Sequence, residues 1–363
     1  MRAAICREFG QPFEIAEVEL ARPGPGEVRA ELRAVAICHS DVTFADGHWG
    51  GDLPAVYGHE AAGVVTEVGA GVTDFTPGDR VVITLVRNCG TCPCCERNMR
   101  GSCETKFPLD AASPLSFPDG NPIIHGLRTA AFAEEVVVEQ SQMVKIGDDI
   151  GFDVASLLAC GVITGYGAVV NTAAVPPGRD VVVIGTGGVG LNAVQGAALT
   201  GARRVIAVDL SADKLEAAKA FGATDVIDSS VDNAVRQVRA LTGGRGADFV
   251  FVTVGATEAM KQSYPMLAPG GASVLVGMAG VDARSTFNPL ALSDGSRRIL
   301  GSKMGQCDIR KDIPHLIGLY REGKLKLDEL ITARLAFDEI NTAMDNVRNG
   351  IGLRNVIIFG DGP

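Results

Sequence analysis

Apolar and polar residues alternate along the first part of the chain in the way that half-buried strands require. Segments 27–37, 61–68 and 80–86 show this alternation. Turn signals such as the Pro-Gly-Asp run at 77–79 separate them. Short strands with frequent turns predict a compact β-rich barrel or sandwich over residues 1 to about 150.

From about residue 153 the pattern changes to apolar strands that alternate with helical segments. A helix is predicted over 153–173, and two more helices and a strand at 354–359 follow residue 303. Between these, the predicted strands are 181–185, 204–209, 225–228, 248–252, 272–277 and 297–301, and the predicted helices are 188–200, 211–220, 231–241 and 256–267. This order indicates a parallel sheet buried on both faces. Six strands are the full count of a doubly wound dinucleotide-binding sheet.

Composition narrows the function classes. A chain of 363 residues suggests about two domains. Its net charge of −10, without a basic run, argues against nucleic acid or an anionic membrane as the main partner. No signal peptide is visible, and Asn192, Gln195 and a glycine cluster interrupt the apolar stretch 181–202, so no membrane span is expected. We expect a cytoplasmic protein whose nine cysteines are thiols or metal ligands.

The strongest motif is a cluster of cysteines with the spacing C-x2-C-x2-C-x7-C, formed by Cys89, Cys92, Cys95 and Cys103. Four thiolates in one short loop can close a tetrahedron around zinc and leave no open position, so the site is predicted to be structural. Such a loop has little core of its own, and the metal would supply its folding energy. Cys94 lies outside this register and is interpreted as a bystander.

A second set of potential ligands is dispersed along the chain: Cys38, His59 and Cys160. Two cysteines and one histidine with an open fourth position form the catalytic zinc site of alcohol dehydrogenase. The sequence alone does not show that Cys38, His59 and Cys160 lie close together in the folded protein. Taken singly, each cysteine is more often a small buried apolar residue.

The third motif is GTGGVG, with Gly185, Gly187, Gly188, Val189 and Gly190. It follows a predicted strand, opens a helix, and precedes Asp209 at the end of the next strand. This is the context of a dinucleotide-binding fingerprint, in which glycines allow close approach of the pyrophosphate to a helix N-terminus.

In these motifs and their order, the chain resembles the zinc-containing medium-chain alcohol dehydrogenases over essentially its whole length. The resemblance rests on CHSD with GHE, the four-cysteine lobe, ACGVITGYGA, GTGGVG with VDLSADK, and LRNVIIFG. It implies an α/β fold in which a doubly wound Rossmann domain is inserted into a GroES-like catalytic domain. The implied domains are 1–161 with 303–363 for the catalytic domain, including a zinc lobe at about 87–104, and 162–302 for the NAD-binding domain.

The resemblance also implies roles for individual residues. Cys38, His59 and Cys160 match the catalytic zinc ligands, Ser40 the hydroxyl that bonds the substrate alcohol, and Asp41 the carboxylate that orients the histidine. Glu60 matches a carboxylate behind the metal, or equally an ion-pair partner of Arg354. The implied cofactor contacts are Thr164 near the nicotinamide, His39 and Arg354 near the pyrophosphate, Lys214 near the adenosine ribose, and Val276 and Met278 near the cleft.

One departure concerns the proton relay, because Thr43 occupies the position where many family members have a histidine. The segment between Cys103 and His125 is also shorter than in the mammalian liver enzymes. The resemblance places Trp49, Leu85, Leu127, Val276 and Met278 around the substrate. Their apolar character favours an uncharged primary alcohol or its aldehyde.

The expected activity is therefore zinc- and NAD-dependent interconversion of a primary alcohol and its aldehyde, with two zinc ions per chain and a homodimer or homotetramer. Two alternatives remain open. One is a dehydrogenase of thiol–formaldehyde adducts, for which Lys106 and Arg128 could bind carboxylates. The other is a non-catalytic nucleotide-binding relative, against which the retained ligand set argues.

Overall fold

The computed structural model describes residues 1–360 and divides into two units. The first unit is Met1–Cys160 together with the segment that begins at Asp308, and the second unit is Gly161–Cys307. The predicted domain boundaries, after 161 and after 302, lie close to these limits.

The strands, in chain order, are β1 (Arg2–Cys6), β2 (Glu14–Glu17), β3 (Glu19–Leu20), β4 (Glu27–Ala36), β5 (Ala55–Val56), β6 (Glu60–Val68), β7 (Arg80–Ile83), β8 (Leu115–Ser116), β9 (Ile124–His125), β10 (Glu135–Glu139), β11 (Met143–Lys145), β12 (Asp180–Ile184), β13 (Arg204–Asp209), β14 (Asp225–Asp228), β15 (Ala247–Val252), β16 (Leu267–Leu275), β17 (Arg298–Gly301), β18 (Ile331–Ala336) and β19 (Arg354–Ile358). The α-helices are α1 (His39–Ala45), α2 (Pro93–Glu96), α3 (Pro108–Ala111), α4 (Phe152–Leu157), α5 (Ile163–Gly167), α6 (Gly188–Leu199), α7 (Ala212–Ala220), α8 (Ala234–Leu241), α9 (Thr257–Ser263), α10 (Pro289–Asp294), α11 (Ile309–Arg321) and α12 (Ile340–Arg348).

The first unit is built on a largely antiparallel sheet. Its order is β11-β7-β6-β4-β19-β18, and β10 also pairs with β4. The same unit contains a four-stranded sheet, β2-β1-β5-β9, and a two-stranded sheet, β3-β8. Alternation along β4 directs Val28, Ala30 and Leu32 into the core, as the sequence predicts. The register of β4 against β6 pairs Ala36 with Glu60, which brings the residues after β4 close to those before β6.

The second unit contains a six-stranded parallel sheet in the order β14-β13-β12-β15-β16-β17. The central strand β12 is buried along its whole length, because helices cover both faces of such a sheet. The change of direction in strand order occurs at β12, and the turn after this strand carries the glycine motif. The predicted α/β class with an antiparallel β-rich part and a doubly wound parallel sheet is confirmed.

Two neighbouring predicted elements are wrong in their bounds. The helix expected over 256–267 ends at Ser263, because Pro265 has no backbone N–H to continue the helical hydrogen-bond pattern. Strand β16 then starts at Leu267, five residues earlier than predicted. It passes through Gly270, whose φ of 75° is left-handed, and its register with β15 shifts between Ala247 and Phe249.

The predicted helix 153–173 is a continuous helical stretch, Phe152–Thr172, with two π-helical turns. Among the described residues, this is the one helix whose length and apolar composition would allow it to cross a membrane. Because 94% of its most apolar window is buried inside the protein, it has the character of a core helix. The first π-helical turn, Leu158–Val162, carries Cys160.

Candidate functional site

Four predicted site residues converge in the first unit. One ligand atom each from Cys38, His59, Glu60 and Cys160 lies within 4.8 Å of the other three. Cys38 caps the N-terminus of α1, His59 precedes β6, and Cys160 lies in the π-helical turn. The pairing of Ala36 with Glu60 explains why Cys38 and His59 meet.

The imidazole of His59 is fixed through its Nδ1 atom, whereas its Nε2 atom is left available to bind another group. Its Nδ1 lies 3.0 Å from the Asp41 Oδ1 atom, and both side chains are fully buried. Asp41 also accepts hydrogen bonds from the backbone N–H groups of Cys38 and Gly58, at 2.9 and 3.1 Å. The buried Nε2 of His59 has no hydrogen-bond partner within the described part of the chain. A buried polar atom of this kind is costly unless it binds a further group, and a metal ion is the group that this donor set suits.

The thiols of this cluster differ in acidity. Hydrogen bonding from Cys160 lowers the pKa of Cys38 well below its usual range, and the nearby His59 acts in the same direction against burial. The same contact, together with burial, raises the pKa of Cys160 well above its usual value. Burial alone would lower the pKa of His59, but the Asp41 carboxylate holds it above its usual value. A cluster that already stabilises one thiolate is chemically suited to a divalent cation.

Glu60 forms an ion pair with Arg354, one of the two roles predicted for it. The Oε2 atom of Glu60 accepts a hydrogen bond from Arg354 Nη2 at 2.6 Å, and both side chains are buried. Burial raises the pKa of Glu60 to about 7, although the Arg354 guanidinium opposes this shift. Its carboxylate also belongs to the metal-ligating cluster, so the two predicted roles are compatible in space.

The four-cysteine cluster is also assembled. The sulfur atoms of Cys89, Cys92, Cys95 and Cys103 lie within 4.8 Å of one another. Hydrogen bonds from the Thr105 side chain and the Thr91 backbone lower the pKa of Cys89 to about 5. The Cys94 thiol instead donates to Glu104 Oε1 at 3.3 Å. Four sulfur donors fit a closed tetrahedral zinc site, and Cys94 lies outside it as predicted.

In the second unit, the glycine motif forms a tight turn between β12 and α6. Gly185 has a φ of 91°, and a Cβ atom at Gly190 would lie 1.8 Å from the Gly185 carbonyl oxygen. Only glycine tolerates this approach of helix to turn. A Cβ atom at Gly187 would meet nothing within 4 Å, so the backbone at the start of the twelve-residue helix α6 is open to an anion.

Comparison with known proteins places the chain in a family. Residues 24–148 match the alcohol dehydrogenase GroES-like domain, and residues 188–322 match the zinc-binding dehydrogenase domain. Alcohol dehydrogenase B of Mycobacterium tuberculosis (strain CDC 1551 / Oshkosh) is 38% identical over 370 residues, covering 99% of this chain and 98% of that protein. The chain belongs to the zinc-containing medium-chain alcohol dehydrogenases.

Two further relatives indicate the range of the family. Alcohol dehydrogenase class-3 of Cereibacter sphaeroides is 38% identical over 374 residues, and the alignment covers 99% of each protein. The crystal structure of benzyl alcohol dehydrogenase from Acinetobacter calcoaceticus aligns with a TM-score of 0.92 at 32% identity, covering 99% of each chain. The chain is therefore an alcohol dehydrogenase-type oxidoreductase of a zinc-binding family.

The remaining predicted site residues of this family member differ in exposure. Ser40 and His39 occupy the first turn of α1, where His39 is exposed. Thr43 donates from its hydroxyl to the His39 carbonyl oxygen at 2.9 Å. In the second unit, Thr164 is buried in α5 and Lys214 lies in the first turn of α7.

The apolar residues expected around the substrate differ in exposure. Val276 is buried, whereas Met278 is 61% exposed. In the first unit, the rings of Trp49 and Phe44 meet edge to face with centroids 5.1 Å apart. Their contribution to a substrate pocket stays a prediction, as does the contact of the buried Arg354 with a pyrophosphate.

Sequence reasoning missed Thr186, which fixes the acidic residue of the dinucleotide motif. Asp209 Oδ2 accepts from the Thr186 backbone N–H at 2.6 Å and from its hydroxyl at 2.9 Å. The other oxygen accepts from the backbone N–H groups of Leu210 and Ser211. The signal was present, because Thr186 is the one polar side chain within GTGGVG.

Proposed function

We propose that this alcohol dehydrogenase family member interconverts an uncharged primary alcohol and its aldehyde with zinc and NAD. The observation that carries the proposal is the buried Cys38, His59 and Cys160 cluster, in which Asp41 fixes the imidazole and leaves Nε2 for a metal. These three residues would hold a catalytic zinc ion, and the four-cysteine cluster a structural one, giving two per chain. When bound, zinc supplies Lewis-acid polarisation of the substrate oxygen and NAD accepts the hydride.

The protein's own groups would orient the substrate and remove its proton. We assign to Ser40, which lies in α1 two residues after the ligand Cys38, the role of accepting the proton of the substrate hydroxyl. Thr43 already donates its hydroxyl proton to the His39 carbonyl, so in this arrangement it does not pass a proton onward. We therefore assign the later steps of proton release to water.

Several charges bear on the choice between a neutral alcohol and a thiol–formaldehyde adduct. An adduct with carboxylates needs cations that are not already neutralised. The Arg128 guanidinium lies 3.7 Å from the Asp110 carboxylate, and Lys106 is exposed. Lys106 is a solvated surface cation, and Arg128 shares the Asp110 carboxylate with Arg87, so neither is a fixed, buried anchor for a substrate carboxylate. This favours the neutral alcohol.

The proposal predicts that the zinc-loaded protein reduces NAD in the presence of neutral primary alcohols. The value of kcat/KM should rise with apolar bulk, from ethanol to longer or benzylic alcohols, because each buried methylene contributes about 0.8 kcal/mol. The measurement is NADH absorbance over a panel of alcohols, aldehydes and a thiol–formaldehyde adduct. An adduct that is turned over far better than every simple alcohol would refute the substrate class, and no turnover of any of them would refute the activity.

We also infer a homodimer or homotetramer. The second unit ends its sheet with the edge strand β17, and large apolar side chains in segment 278–299 are exposed. They are Met278, Val281, Phe287, Leu290 and Ile299. A patch of this kind beside an unpaired strand edge is typical of a surface that a second copy covers. Sedimentation equilibrium should give at least twice the 37.8 kDa chain mass, and a monomer at micromolar concentration would contradict this inference.

We infer a reducing compartment, the cytoplasm, from the thiol chemistry. The nine cysteines form no disulfide within the described residues, and six of them lie in the two clusters. Both proposed zinc sites need thiolates, which a reducing compartment preserves. Recovery of the native chain in a secreted fraction would argue against this assignment.

A further inference from the structure

The turn that carries Leu127 is strained. Leu127, Arg128 and Ala130 have φ values of 52°, 62° and 50°, which is the left-handed region that residues with a Cβ atom seldom adopt. The turn lies beside the segment that carries the proposed ligand His59. His125 pairs with Val56, and the Ala131 N–H donates to the Gly58 carbonyl oxygen at 3.0 Å. Strain of this kind persists only where the surroundings enforce it, and it concentrates at functional sites.

Two buried side chains enforce this conformation. Arg87 is 1% exposed and donates from Nη2 to the Arg128 carbonyl oxygen at 3.1 Å. Gln142, which is fully buried, donates from Nε2 to the same carbonyl oxygen at 3.0 Å. The two side chains are joined to each other, because Arg87 Nε donates to Gln142 Oε1 at 2.7 Å.

Gln142 also holds the segment that carries Leu85. Its Nε2 donates to the Thr84 carbonyl oxygen at 2.8 Å, and the Arg87 side chain, in the same segment, donates from Nε to Gln142 Oε1 at 2.7 Å. Leu85 and Leu127 are the residues of the first unit, besides Trp49, that the family resemblance places against the substrate. The buried pair therefore connects two proposed pocket walls.

A buried guanidinium is a costly way to connect two segments. Its charge is paired with Asp110 at 3.1 Å. His125 adds no positive charge, since burial, together with Arg87, lowers its pKa to about 4. An apolar side chain would fill the same space without the cost of desolvating a charge. The guanidinium differs from such a side chain in donating to several acceptors in a fixed geometry.

We propose that Arg87, together with Gln142, is a positioning residue that sets the spacing of Leu85 and Leu127 and thereby the size selectivity for the alcohol. This inference rests on the proposed function. It concerns how the pocket discriminates among substrates, not the chemical step, so it predicts a change in KM that depends on substrate size.

The test is Arg87→Met, which keeps length but removes the charge and the hydrogen bonds. KM for 1-hexanol and benzyl alcohol should rise about tenfold, the loss expected when contact with about two methylene groups is removed. KM for ethanol and all kcat values should change less than about threefold. Arg87→Lys should restore part of the selectivity, and Arg310→Met, at an exposed arginine paired with Asp74, should change nothing.

Gln142→Glu provides a second variant should Arg87→Met fold poorly. It keeps the side-chain volume and the contact with Arg87 but loses the donor to the Thr84 and Arg128 carbonyls, so it should raise KM in the same size-dependent way. A uniform change in KM across all alcohols in either folded variant would show that the pair is only structural.

Amide exchange separates this inference from the proposed function. In Arg87→Met, exchange at Thr129 and Ala130 should accelerate at least tenfold relative to the unmodified chain, whereas exchange in β12 should not change. An unmodified protein that oxidises no alcohol would refute the proposed function alone. Unaltered exchange in the turn would refute the positioning role whatever the activity.

Discussion

Replacing Cys160 by alanine should reduce the zinc content from two ions per chain to one and lower kcat/KM at least a thousandfold. Cys160 supplies one of the three proposed ligands of the catalytic metal, and its loss opens the cluster around Cys38 and His59. Lewis-acid stabilisation by a metal is worth several kcal/mol, and about 4 kcal/mol corresponds to roughly a thousandfold in rate. Elemental analysis and steady-state kinetics on the same preparation measure both effects.

The fold should survive this substitution, because a buried cysteine packs as a small apolar residue that alanine nearly replaces. Cys6→Ala is the matched control, since Cys6 is also buried in the first unit but lies in neither cluster. Cys94→Ser should likewise leave two zinc ions, because its thiol contacts Glu104 and not the four-sulfur cluster. Two zinc ions with near-normal turnover in Cys160→Ala would mean that the catalytic ligands are wrongly assigned.

The elements of the second unit could be predicted because parallel strands carry a simple signal. Strand β12 is a continuous apolar run bounded by a charged residue and a glycine turn, and this pattern follows directly from burial on both faces. The failure at β16 is local. Its Pro-Gly-Gly run reads as a turn, but the strand continues through it with a shift of register. Pairing with β15, which is a long-range interaction, outweighs the local preference.

The site was less accessible to sequence reasoning. The four-cysteine cluster lies within fifteen residues, so its spacing alone indicates a metal site. Cys38, His59 and Cys160 meet only because β4 pairs with β6 in one register and a π-helical turn presents Cys160. Neither feature has a signature in the local sequence. Family resemblance supplied that set, and the geometry of the first unit now gives it a physical basis.

The network of Arg87 and Gln142 shows a different limit. Both residues belong to types that usually lie at the surface, and nothing in their neighbourhood along the chain marks them as buried. Their partners are backbone carbonyl groups of distant segments, which carry no side-chain identity. The positioning role of these two side chains can therefore be recognised only from a structure that identifies the carbonyl groups to which they donate.

Discrimination between NAD and NADP is the second large effect, and it should amount to roughly a thousandfold in kcat/KM in favour of NAD. Asp209 ends β13, and its carboxylate is held in place by Thr186, Leu210 and Ser211, none of which carries a positive charge. A 2′-phosphate at about 4 Å from this carboxylate would be disfavoured by about 4 kcal/mol at an effective dielectric constant of 20. The 2′-hydroxyl of NAD can instead donate a hydrogen bond to it.

Asp209→Gly should erode this preference to tenfold or less, mainly by raising kcat/KM with NADP. Because Asp209 accepts four hydrogen bonds, two from Thr186 and one each from Leu210 and Ser211, the variant should also unfold at a lower temperature. Asp209→Asn removes the charge but keeps one acceptor oxygen, so it should erode the preference with a smaller loss of stability than Asp209→Gly. Asp213→Asn, at an exposed carboxylate in the first turn of α7, is the control and should leave the preference intact. Equal kcat/KM values for NAD and NADP in the unmodified enzyme would show that Asp209 does not select the cofactor.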